Sequence, residues 1–116
     1  MNRRILLGLV AAVGFAGRAS AHAFLQHANP GAGAVLRAPP KAVGLVFTEE
    51  LEPVFSGVAV TDASGRNVES APAVIAGKSM EAPVRLLPAG RYRVSWHAVS
   101  VDTHRTEGAF SFTVKP

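Results

Sequence analysis

The chain has no cysteine among its 116 residues. That absence excludes disulfide staples, thiolate metal sites and cysteine nucleophiles, so any bound metal must be held by nitrogen and oxygen. Thioethers are almost as scarce, because Met80 is the only methionine besides Met1. A soft metal site needs several such ligands, so none is expected. The longest apolar run, Ile5 to Ala16, falls well short of the ~20 residues that cross a bilayer. Beyond it the chain shows no internal repeat, linker or low-complexity tract.

What is present at the start is a secretory leader. Arg3 and Arg4 precede the apolar run, and Ala19-Ser20-Ala21 closes it with the small-residue pattern read before cleavage. A cut after Ala21 assigns residues 1–21 to a signal peptide and leaves 22–116 as one domain with a modest core. His22 then becomes the N-terminus. Ala21-His22-Ala23 repeats the pattern, and a cut there leaves Phe24 first and discards His22. Three of the twelve Lys and Arg lie in the leader and all eight Asp and Glu lie beyond it, so the remainder carries a net charge of +1. Nucleic-acid binding loses its compositional support, since it needs a clustered basic footprint.

The rest reads as short strands broken by turn residues. Ala23 to Gln26 is extended, and Asn29-Pro30-Gly31, Gly33 and Pro39-Pro40 interrupt the chain. Ala42 to Thr48 alternates apolar residues, then Glu49, Glu50, Glu52 and Pro53 form an acidic loop. Gly57 to Asp62 is a strand whose hairpin partner is Arg66 to Val68, with Ala73 to Ala76 and Met80 to Leu87 as further candidates. Arg91 to Val99 alternates cleanly, with Tyr92, Val94, Trp96 and Ala98 on one face and Arg91, Arg93, Ser95 and His97 on the other. The last strand runs from about Gly108 to Val114. About seven strands with no convincing helix predict an all-β antiparallel sandwich or partly closed barrel. The aromatics Phe47, Tyr92, Trp96, Phe110 and Phe112 sit at alternating positions and are assigned to its core.

Four histidines carry the chemistry: His22, His27, His97 and His104. As an N-terminal residue His22 offers an amine and an imidazole, a bidentate nitrogen chelate. Asp102-Thr103-His104 lies between the last two strands, and residues two apart in extended backbone present their side chains to one side. Together these supply three nitrogens and one oxygen, a set that suits Cu(II). Taken alone, the D-x-H triplet also reads as an ordinary surface turn with Asp102 in a local backbone hydrogen bond.

Several runs carry a resemblance: His22-Ala23, Asn29-Pro30 with Gly33, Phe47-Thr48-Glu49, Phe55-Ser56-Gly57, Trp96 through His104, and Gly108 through Phe112. In order and spacing the chain from His22 onward resembles the CopC family of periplasmic copper-binding proteins. The resemblance implies a small Greek-key, Ig-like β-barrel. It also implies one Cu(II) per chain on His22, Asp102 and His104, with Glu49 near the copper as an axial or outlying carboxylate. The methionine-rich loop that some members use for Cu(I) is missing between Val68 and Met80, so a Cu(II)-only form is expected. His97 stands where relatives often have arginine and is read, like His27, as a residue outside the ligand set. The implied function is sequestration or carriage of copper in resistance or homeostasis, without catalysis, by a monomer beside an inner-membrane copper transporter. Two rivals are a histidine-brace copper redox enzyme and a non-metal β-sandwich interaction module, the latter favoured by cleavage after Ala23.

Overall fold

The computed structural model describes residues 22–116, and the leader predicted over 1–21 lies outside the described residues. Eight strands follow in order: β1 Leu25–Asn29, β2 Val35–Leu36, β3 Ala42–Phe47, β4 Gly57–Thr61, β5 Val74–Ala76, β6 Ser79–Pro83, β7 Gly90–Val99 and β8 Arg105–Val114. The one helical element among the described residues is a 3-10 turn at Pro53–Phe55. No helix among them is long and apolar enough to cross a membrane.

The strands form two four-stranded sheets, ordered β1-β3-β6-β5 and β2-β8-β7-β4. Only β5–β6 and β7–β8 are hairpins of chain neighbours; every other connection crosses between sheets. This is the expected all-β, Ig-like sandwich. It differs in one respect from the antiparallel expectation, because β2 runs parallel to β8, pairing Val35 with Thr113 and Leu36 with Val114. The chain reaches that edge through backbone bonds from Gly33 N to Ser111 O and from Thr113 N to Ala34 O.

Alternation places the core. On β3, Val43, Leu45 and Phe47 are buried, and on β7, Tyr92, Val94 and Ala98 meet them from the opposite sheet. Met80 and Ala82 of β6 and Phe112 and Val114 of β8 complete the layer. Phe47 meets Trp96 edge to face with ring centroids 5.1 Å apart, and Tyr92 stacks on Phe112 at 5.5 Å. Trp96 pairs with Gly108 across β7 and β8, and a Cβ at Gly108 would lie 2.7 Å from the indole. Glycine there lets the ring lie flat on the neighbouring strand.

The free edge of β4 is covered by the chain that follows it. Val68 N donates to Val60 O at 2.9 Å, and Val60 N donates to the Glu69 carboxylate at 3.1 Å.

Tyr92 fixes the turn before β7, its hydroxyl donating to Pro88 O at 2.6 Å. Burial pushes its pKa above the ordinary value of 10.0. Tyr92→Phe should cost about 1 kcal/mol in a urea titration near neutrality. The sign of the pH effect follows from linkage. A raised folded pKa gives stability that is complete below pH ~10 and is lost as pH rises through the folded value. Tyr92 is the only tyrosine, so that part of the alkaline loss should vanish in the variant. An unchanged alkaline profile would count against it.

Candidate metal centre

The loop joining β7 to β8 is short and closed on itself. Ser100 N donates to His104 O at 3.0 Å, and Thr103 N donates to Ser100 O at 2.8 Å. Three residues, Val101 to Thr103, therefore turn the chain, and in such loops the last residue takes the left-handed conformation. That residue is Thr103, at φ 75°. A β-branched residue there is strained. Thr103→Gly should relieve ~1–2 kcal/mol of left-handed strain against ~0.5–1 kcal/mol of glycine entropy. The net expectation is a urea stability unchanged or raised by up to ~1.5 kcal/mol. A loss in its place would show that the threonine side chain holds the turn.

This turn brings Asp102 and His104 together, with His104 Nδ1 3.4 Å from Asp102 Oδ1. The pair meets as anticipated, but through a reversal of the chain and not through the same-side alternation of an extended segment. The buried Ser100 hydroxyl donates to the same Asp102 oxygen. That donor, with His104 after it, holds the Asp102 carboxyl below its ordinary value. Ser100 was not singled out from sequence; its only signal was its place two residues before the aspartate, where a hydroxyl commonly bonds a neighbouring turn residue.

His22 arrives from the other side of the loop on a tethered arm. Thr48, just past β3, accepts from Phe24 N at 2.9 Å and donates to His22 O at 3.3 Å. Thr106, at the start of β8, donates to Ala23 O at 2.6 Å, and Ala23 itself is fully buried. These bonds set the His22 and His104 rings 4.5 Å apart between centroids, tilted by 54°. Phe24 meets the far side of His22 edge on at 5.8 Å.

The other candidates fall elsewhere. Glu49 follows Thr48 directly and is half-buried, and no described residue bonds its carboxylate. His27 lies on the exposed side of β1, paired with Val46. His97 lies over Gly57 on the outer side of β7, where a Cβ on that glycine would come 2.8 Å from the imidazole. Trp96 beside it packs inward on Phe47, so the two do face apart. Met80 is buried in the core and presents no thioether to solvent.

Two imidazoles and one carboxylate thus share one end of the sandwich. Among the described residues no group of three His, Asp or Glu side chains is disposed to hold a metal as it stands. The side-chain donors are incomplete by themselves, and a further nitrogen would have to come from the backbone at His22.

The model for the CopC domain matches residues 25–115. Copper resistance protein C of Escherichia coli is 39% identical over 99% of this chain and 98% of its own. Among solved structures, PcoC, a methionine-rich copper resistance protein from Escherichia coli, is 40% identical and covers 82% of this chain and 100% of that one, with a TM-score of 0.71. CopC from Methylosinus trichosporium OB3b is 33% identical, covers 82% and 95% of the two chains and gives a TM-score of 0.75. The matched stretch takes in both sheets and the β7–β8 loop, and the chain belongs to the CopC family.

Proposed function

We propose that the chain is exported, cut after Ala21, and binds one Cu(II) ion through the His22 amine and imidazole with Asp102 and His104. The observation that carries this reading is the approach of the His22 ring to within 4.5 Å of His104, itself beside Asp102. Copper resistance is the named role of the relatives above. The buried Ala23, with its carbonyl held by Thr106, supports the earlier of the two cuts, because the later one removes a core residue. Residues 22–116 then form the working domain, a periplasmic monomer that sequesters or carries copper without catalysis. An inner-membrane copper transporter is the expected partner.

The chemistry is chelation. Neutral imidazoles, a free amine and a carboxylate that is already charged form a nitrogen-rich set with one hard oxygen, the composition Cu(II) favours. Glu49, half-buried beside Thr48, is the carboxylate available for an axial or outlying contact. Protons compete for the same nitrogens, so affinity falls on acidification through the range in which imidazole titrates. The domain has a core of its own and should stay folded when copper is removed.

A native mass spectrum of the exported protein, with one equivalent of Cu(II), tests all of this together. The expected species begins at His22 and retains one copper near pH 7 but loses it near pH 5. A chain beginning at Phe24, or one that keeps no copper at neutral pH, would end the reading.

A further inference from the structure

At the end of the sandwich where β7 begins, remote from the histidines at its other end, lies an open groove of about 540 Å³. The turn after β4, the connection from β6 and the first residues of β7 enclose it. Arg66, Arg85 and Arg91 line it, and all three are exposed.

The charge in this groove is unbalanced. Its one carboxylate, Asp62, is spent on its own turn, where Oδ1 accepts from Ser64 N at 2.9 Å, Ser64 Oγ at 2.7 Å and Arg66 N at 3.0 Å. The ion pairs among the described residues, Asp102 with His104 and Arg105 with Glu107, involve none of the three guanidiniums. Arg85 donates from Nη2 to Asn67 O at 2.7 Å, which orients its planar fork and leaves its other donors free. Three guanidiniums against one carboxylate leave two positive charges in a domain whose total is only +1. Leu86, which also lines the groove, is 85% exposed.

We propose that this groove is a binding site for a phosphate-bearing anion. Guanidinium forks match phosphate oxygens in pairs; a free phosphate dianion cancels the local excess, and a phosphodiester headgroup offsets half of it. The same chemistry reaches an exported protein as free phosphate or as a lipid headgroup. Leu86 lies where the acyl-proximal part of a headgroup would meet it. The site is independent of the copper reading and shares no residue with it.

Amide NMR of the exported protein tests the site with inorganic phosphate, and vesicle co-sedimentation tests it with phosphatidylglycerol against phosphatidylcholine. Saturable shifts at Arg66, Leu86 and Gly90 are expected with phosphate if the free anion is the ligand. Binding to phosphatidylglycerol alone, without saturation by phosphate, assigns the headgroup. In either case Arg66→Ala with Arg91→Ala should weaken binding at least about tenfold, the loss expected from even one charged hydrogen bond. Melting and copper retention should not change. Lys78→Ala, on the β5–β6 turn, is the control for diffuse charge. Silence of the groove amides with phosphate together with equal sedimentation on the two vesicles, or an equal loss in the lysine variant, overturns the proposal.

Discussion

His104→Ala is expected to lower Cu(II) affinity by more than about a hundredfold, beyond the 10–100-fold typical of residues that only orient a ligand. The imidazole lies against His22 and Asp102 at once. Its loss removes one proposed nitrogen donor and also the group that faces the other two residues. Ser100→Ala separates positioning from ligation. It leaves every proposed donor atom in place but deletes the hydroxyl that fixes Asp102 and is the largest cause of its lowered pKa. Affinity should fall about tenfold or more, while the pH profile keeps its midpoint, because a carboxyl returned to its ordinary value of 3.8 is still ionised in the range where imidazole titrates. A merely structural serine would leave the affinity where it is. His97→Ala, over Gly57 on the outer face, should change neither quantity. Competition against a chelator of known affinity reads all three variants. A His104→Ala protein that binds within about threefold of the parent would remove the D-x-H pair from the site.

Phe47→Ala carries the largest expected loss of stability, about 3–5 kcal/mol. Phe47 is fully buried, pairs with Leu25 of β1 and meets the single tryptophan edge to face. Removing it opens a cavity between the sheets and frees the start of β1 together. Against a total of ~5–15 kcal/mol for a small domain, that is a large share. Trp96 fluorescence in a urea titration reports the change directly, since the mutated ring is its neighbour. The residue after Phe47 is Thr48, which ties down the His22 arm, so copper affinity should weaken in the same variant even where the fold survives. A loss below about 1 kcal/mol would mean that the two sheets close over the gap.

The strands legible in the sequence were those with a buried face and a solvent face. β3, β7 and the second half of β8 alternate clearly, because Val43, Leu45, Phe47, Tyr92, Val94 and Phe112 all point between the sheets. Alternation was silent elsewhere. Two residues, Val35 and Leu36, cannot display a period, and their parallel pairing with β8 depends on distant chain. β8 begins at Arg105, earlier than expected, since Arg105 to Glu107 are polar and show no apolar alternation, although they pair with Val99 to His97 of β7. The return of the hairpin after β4 is short: Asp62 N donates to Arg66 O and Val68 N to Val60 O around the bridge between Thr61 and Asn67. At the histidine end, the sequence suggested which side chains would gather but not how. The burial of Ser100 beneath the turn and the two threonines that hold the His22 arm are tertiary facts. The arm's partners lie up to 83 residues apart, which no local pattern encodes.

The cover over β4 bears on how the molecule tolerates crowding. An open sandwich has four outer strands, and an unpaired one is a template for another chain to add to. Here Val60, in the middle of one such strand, has both its backbone groups engaged, one by Val68 and one by a glutamate carboxylate. On the other borders, β5 has three residues and β2 has two, and β1 is broken by an irregularity between Leu25 and His27. No border offers a long, flat ladder. Such borders disfavour strand addition between copies, and no disulfide is needed to close them.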